Sequence, residues 1–291
     1  MQKDMFGNDR YKVGLHIHTN VSDGKYPPEK AAEIYRAAGF DAVAFTDHWV
    51  YGEAGEMSGM TVLSGCEYHL GQSDGARGVI HIVGVGMKQD PGIDAETVTR
   101  QGIVDAIHAA DGLAVWAHPA WSLNSVTDTE TVTGFDAVEI YNTVSDEGQS
   151  CRPYSGCFVD NLACRGIRYP LVAVDDTHYY DGVDDTKSYI MVKSDSASRE
   201  DILAAIKRRD FYATQGPELH VRRDGNTILV DCSACVKILV LSNVVWAQGR
   251  VVKGERLTHT EYEIGELDRW VRVEVVDSEG SWAWSNIIDV K

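Results

Sequence analysis

Seven short apolar runs, Lys12–Ile17, Ala42–Phe45, Thr61–Cys66, Val79–Val85, Leu113–Ala117, Ala137–Tyr141 and Leu171–Val174, recur through the first two-thirds of the chain. Runs this short and this rich in Val, Ile and Ala read as strands buried on both faces. Between them, Pro28–Ala38 carries proline in its first turn and stops at Gly39, and Asp94–Ala110 starts acidic and stops at Asp111-Gly112, so both read as helices. Alternation of strand and helix predicts an α/β domain with a parallel sheet or barrel. At 291 residues the chain is long enough for this domain and a smaller one.

The pattern changes after Lys193. Ser198–Arg209 reads as a last amphipathic helix, and the remainder as short strands, among them Val236–Leu241, Val271–Val276 and Ser285–Val290. Asp224-Gly225-Asn226 and Ser278-Glu279-Gly280 are hairpin signals. We therefore expect a first domain over 1–214, boundary near 210–217, and a small antiparallel β-sheet or sandwich over 215–291.

Histidines and carboxylates cluster at the ends of the runs. His16 and His18 lie two apart at the end of the first, where a strand's period of two points both imidazoles to one side. Asp23 follows in a turn, Asp47-His48 ends the second run, Glu67 the third, His118 the fifth and Asp176-Thr177-His178 the seventh, while His81 lies in the fourth. Strand ends open on one face of a parallel barrel, so these residues converge there. Imidazoles and carboxylates without thiolate form the donor set of zinc, manganese or iron. Charged groups at several buried strand ends would be costly unless cations neutralise them.

Asp47 and Asp175 adjoin these residues, and a hydrogen bond from one of them to a ligand imidazole is expected. Trp121 is a candidate to pack on a substrate ring, Glu139 and Asn142 to line the pocket, and Arg77, Arg165, Arg168 and Lys187 to clamp an anion. His69, His108, His220 and His259 fit no ligand position. The six cysteines match no zinc spacing, and Cys232-x-x-Cys235 reads as a turn between strands.

The motifs HIHTNVSDG, AVAFTDH, GCEY, HIVGVG, AHPAW, VEIYN and VDDTH, spanning about residues 13–193, resemble the PHP (polymerase and histidinol phosphatase) superfamily in order and spacing. That resemblance implies a distorted seven-stranded (β/α) barrel and a trinuclear centre. His16, His18, Glu67 and Asp176 would hold one ion, Glu67, His81 and His118 a second, and Asp23, His48 and His178 a third. Glu67, Asp176 and His178 would also take part in catalysis. The run Arg209–Pro217 resembles the stretch after the barrel in the carbaryl-hydrolase-like branch.

The implied activity is a metal-dependent phosphoesterase using two or three divalent ions (Zn, Mn or Fe) on a small phosphomonoester or short nucleotide. The same site suits, alternatively, a carbamate, amide or carboxyl ester; a non-enzymatic metal-holding module is disfavoured by the complete set of nine positions. Acidic residues outnumber basic ones 44 to 27, a net charge of -17, which disfavours long nucleic acid as a partner. The N-terminal stretch holds no apolar segment of signal or membrane length, so a soluble cytoplasmic protein is expected.

Overall fold

The computed structural model describes residues 1–71 and 78–291. Two sheets surround the main core. Gly65–Gly71, Val79–Val85, Leu113–Trp116, Ala137–Asn142 and Leu171–Val174 form one, in chain order. The other is thirteen-stranded and carries Asp9–Gly14 between Tyr189–Lys193 and Ala42–Ala44, with Met60–Leu63 beyond. Side chains of both sheets share one core, among them Val13, Ala44, Leu63, Ile82, Val115, Ile140 and Val172.

The sheets touch where the predicted site residues lie. Single bridges join Ile17 to Thr177 and His48 to Glu67. Backbone bonds from Asp176 N to His16 O (2.9 Å) and Trp49 N to Glu67 O (2.9 Å) reinforce them. This is a mixed α/β arrangement of two bridged sheets, and no closed seven-stranded (β/α) barrel forms among the described residues.

Nor is the strand pairing parallel throughout. Gly65–Gly71 pairs antiparallel with Val79–Val85, which pairs antiparallel with Leu113–Trp116. Only residues 72–78 join the first two, too few for the crossover that parallel pairing requires. The reversal has a useful result: His69 opposes His81 in the register, so the beginning of Val79–Val85 lies at the end of the molecule where Gly65–Gly71 finishes.

The expected strand Thr61–Cys66 is in fact divided at Ser64 between the two sheets. At Gly65 a Cβ atom would lie 2.4 Å from the Phe45 carbonyl oxygen, so only glycine lets the chain cross from one sheet to the other here.

The helices are short. Pro28–Ala37 and Arg199–Lys207 fall close to expectation, the second capped by the Ser198 hydroxyl accepting from Asp201 N. The expected helix from Asp94 begins only at Arg100, because Asp94 folds a local turn onto Glu96 N and the Thr97 hydroxyl, and the cap is Thr99. Gly156–Cys164, unanticipated from sequence, buries Phe158, Val159, Leu162 and Ala163. No helix among the described residues is long and apolar enough to cross a membrane.

The C-terminal stretch is β-rich, as expected. Asp224 pairs with Thr227 and Val276 with Trp282 across the two predicted turns, and Gly225 and Gly280 supply the positive φ these turns need. The sequence Cys232-x-x-Cys235 lies inside the long strand Thr227–Ser242, at a register irregularity, rather than in a turn; the two sulfurs are 3.6 Å apart. Phe211–Thr214 pairs with Trp282–Trp284, and Trp270, Trp284 and Ile287 enter the main core, so the β-rich part is built into the sheet that carries Asp9–Gly14.

Candidate metal centre

Glu67, almost wholly buried, is the hub. Its Oε2 lies 3.2 Å from His16 Nε2, 3.0 Å from His18 Nε2 and 3.2 Å from His48 Nδ1, and its Oε1 lies 2.6 Å from His81 Nδ1 and 3.3 Å from His118 Nε2. Asp176 Oδ1 is 3.1 Å from both His16 Nε2 and His18 Nε2. Nearer solvent, Asp23 lies 3.5 Å from His178, 3.6 Å from His18 and 3.7 Å from His48. All nine positions therefore meet in one cluster.

Asp176 and His118 hold positive φ values of 55° and 25°. Non-glycine residues adopt such backbone at some cost, here where the chain turns its side chain into the cluster.

Several features suit divalent cations. In one group the ligand atoms of His16, His18, Glu67 and Asp176 all lie within 4.8 Å of one another, and the same holds for His18, Asp23, His48 and His178 and for His48, Glu67 and His81. Donors held at about 2.1 Å from a tetrahedral zinc are separated by roughly 3.4 Å, close to the spacing around Glu67. Asp176 Oδ1 and His48 Nδ1 are also buried without a hydrogen-bond partner, which is costly unless a cation meets them. The donor set therefore fits divalent metal ions.

Behind the cluster, Glu139 Oε1 accepts from His16 Nδ1 at 2.7 Å, while its Oε2 accepts from His118 N and from Asn142 Nδ2. Expectation gave the imidazole contact to Asp47 or Asp175. Instead, Asp47 accepts from the backbone and hydroxyls of Thr19 and Ser22, shaping the loop that carries Asp23, and Asp175 accepts from the Tyr35 hydroxyl and from Lys187 and Ser188 N. The His178 segment is fixed by buried Asp184, whose carboxylate accepts three successive backbone N–H groups, from His178, Tyr179 and Tyr180.

Besides the cluster, Trp121, Gln149 and Tyr179 line a cavity of about 310 Å³. Trp121 stands edge-on to His118, ring centroids 4.9 Å apart. None of the other substrate candidates among the described residues lines this cavity. Asn142 is fully buried and donates to Glu139 and Asp176. Lys187 lines a neighbouring cavity with Asp146 and Gln215, Arg165 is exposed at the end of helix Gly156–Cys164, and Arg168 pairs with Asp289 at 2.7 Å. Arg77 lies outside the described residues. Among the described residues, no lysine or arginine lines this cavity. Gln149, in the short π-helix Asp146–Ser150, and Tyr179, in the loop after His178, carry no sequence signal of their own. His69, given no role from sequence, stacks on His81, centroids 5.2 Å apart.

Without cations the cluster holds protons. Burial opposes a charge on His18, but the adjacent carboxylates of Asp176 and Glu67 outweigh it and raise its pKa to about 9. His16 is likewise raised: burial opposes its charge and Asp176, Glu67 and Glu139 prevail. At His48 burial prevails, and the pKa drops to about 4. Glu67 and Asp176 are held below the ordinary carboxylate range; burial works against this, and the surrounding imidazoles, His16 first, overcome it.

A raised folded-state pKa stabilises fully below the unfolded value near 6.5 and ceases to do so as pH rises through the folded value. For His18 the difference corresponds to roughly 3 kcal/mol. Chelated protein is therefore expected to lose thermal stability between pH 6.5 and 9, whereas metal-loaded protein, with cations in place of protons, is not. Melting curves across that range with and without chelator check this; parallel curves would contradict it.

Residues 14–195 match the PHP domain family. No curated protein matches the chain. Among solved structures, a two-domain protein from Bacteroides vulgatus containing a predicted PHP-like metal-dependent phosphoesterase aligns over 99% of this chain and 98% of its own, with 13% identity and a TM-score of 0.52. The lesion-specific endonuclease EndoQ of Pyrococcus furiosus aligns over 69% of this chain and 56% of its own, with 15% identity and a TM-score of 0.47. An amidohydrolase from Chromobacterium violaceum with bound sulfate and no metal aligns over 59% and 89%, with 17% identity and a TM-score of 0.43. The first likeness extends through the β-rich C-terminal part and bears on the fold.

Proposed function

The chain belongs to the PHP domain family, and from that premise we propose that it is a metal-dependent phosphoesterase acting on a small phosphomonoester or short nucleotide. The observation that carries this reading is the pair of buried carboxylates, Glu67 and Asp176, set among imidazoles at the floor of a cavity that no lysine or arginine among the described residues lines. A phosphoryl dianion entering that cavity needs positive charge, and among the described lining residues no lysine or arginine supplies it.

Three ions are proposed. His16, His18, Glu67 and Asp176 would hold the first, Glu67, His81 and His118 the second, and Asp23, His48 and His178 the third. Bound there, divalent cations lower the pKa of water to give a nucleophile at neutral pH and neutralise phosphoryl oxygens.

The chain's own residues do the rest. Glu67, with one oxygen toward His16, His18 and His48 and the other toward His81 and His118, fixes the spacing of the first two positions. Glu139 holds His16 with Nε2 turned to the cluster, and the Ser122 hydroxyl lies 3.0 Å from His118 Nδ1, leaving Nε2 inward. His178 donates from Nδ1 to the Asp176 carbonyl oxygen at 2.7 Å and so presents Nε2 to Asp23. Trp121 and Tyr179 form walls for the leaving group. Residues 215–291 are proposed to act as a β-rich domain that shapes access without supplying ligands.

Given manganese or zinc, the protein is expected to release phosphate from phosphomonoesters with a higher kcat/KM than it cleaves carbamates, amides or carboxyl esters. A dianionic phosphoryl group offers several oxygens to three cations, while a carbonyl offers one. Steady-state assays of both panels at equal metal loading test this. A carbamate or ester turned over faster, with no phosphate released, would replace the reading by its alternative at the same site.

A further inference from the structure

We propose that a second cavity, at the start of strand Asp9–Gly14, binds a small organic dianion with an apolar or aromatic body, at a site separate from the metal centre. The strand register places Lys193 directly opposite Arg10, so two cations share one face of a strand pair, an arrangement that destabilises pairing unless anions answer it. Arg10 is answered by buried Asp4, Nε to Oδ2 3.0 Å. Lys193 has no ion-pair partner among the described residues.

His220 and Arg222 are two apart on strand Leu219–Asp224 and share a face, and His220 Nδ1 lies 3.3 Å from the Arg10 guanidinium. That contact aims Arg222 into the same cavity, which it lines together with Lys193 and Arg209. Among the described residues, Arg222 too lacks an ion-pair partner, and the Arg209 side chain donates only to the Arg168 carbonyl oxygen. The two lining carboxylates are engaged elsewhere, Asp210 with Arg208 at 2.9 Å and Asp231 with His259 at 2.7 Å. Three uncompensated cations thus meet in one cavity of a chain whose net charge is -17.

The remaining wall is apolar. Phe211, Tyr212 and Leu219 are buried beneath it, and the Phe6 ring stands at its edge, 5.0 Å from His220. At about 500 Å³ the cavity accommodates a ligand of mononucleotide size. Cations at one side and an apolar floor at the other select a molecule with its charge at one end. His16 follows Arg10 by six residues of extended chain, roughly 20 Å, so one small ligand cannot span both sites.

1,5-Naphthalenedisulfonate tests this, since it is an aromatic dianion without a hydrolysable ester and its sulfonates are weak metal ligands. Titrated into the full-length metal-loaded protein, it should bind one per chain with a Kd below about 1 mM, more weakly as salt rises. The Lys193→Ala/Arg222→Ala double variant should weaken binding at least tenfold while leaving kcat on a phosphomonoester within twofold; Glu67→Gln should leave binding unchanged. Should the double variant fail to fold, Arg222→Glu is read instead, with the same loss expected. No saturable binding to the native protein, undiminished binding to the cation variants, or loss of binding in Glu67→Gln would each overturn the proposal.

Discussion

Glu67→Gln is expected to lower kcat by about three orders of magnitude, a larger loss than for any single histidine of the Asp23, His48, His178 group. The substitution keeps the shape and removes the charge. Both carboxylate oxygens are in use, one within 3.2 Å of His16, His18 and His48 and the other within 3.3 Å of His81 and His118. A neutral amide cannot offer two anionic oxygens to neighbouring cations, so the two positions proposed to activate water would be weakened together. His48 is 22% exposed and stands at the rim, near Asp23, Glu67 Oε2 and His81, so His48→Ala removes one donor and leaves both Glu67 oxygens in place. Turnover of both variants, measured with metal titrated to saturation, decides the matter. An equal or smaller loss for Glu67→Gln would mean that the bridging role belongs elsewhere.

Arg272→Ala is expected to destabilise the fold by about 3–5 kcal/mol, the range for stranding a buried charge. Its side chain is 1% exposed and forms a fork onto Asp160, Nε to Oδ1 at 2.6 Å and the terminal nitrogen to Oδ2 at 2.9 Å. Arg272 also pairs with Glu274, which in turn accepts from the Tyr154 hydroxyl. Removing the guanidinium leaves Glu274 buried opposite no cation. The network ties strand Trp270–Val276 to helix Gly156–Cys164, so the cost falls on the junction of the β-rich part with the main core. Arg272→Lys should recover little, because an ammonium cannot make the fork. Urea denaturation should show these losses in the midpoint. A loss below about 1 kcal/mol would mean that the network is screened by solvent.

Strand positions were legible because a strand buried on both faces must be apolar throughout, and Val79–Val85 and Leu171–Val174 coincide with their runs. Pairing direction was not. Apolar content is the same for parallel and antiparallel neighbours, and only the shortness of the link after Gly71 hinted at the reversal. Helix Gly156–Cys164 escaped because Gly, Cys and Asn weaken its helical signal although Phe158, Val159 and Leu162 form an apolar face. In the site, clustering was legible because strand ends converge. The role of Glu139 was not: it sits mid-strand in an apolar run, and only the fold shows it facing His16. Asn142 and Lys187 were placed near the cavity by position in sequence, which carries no information on which way a loop or strand end turns its side chains.

The central claim is that the cluster holds metal. Elemental analysis of the purified full-length protein, paired with activity before chelation, after it, and after return of manganese or zinc, tests this most directly. We expect two to three transition-metal ions per chain, loss of activity with their removal and recovery with their return. A preparation with less than one equivalent of metal and full activity in chelator would contradict the account.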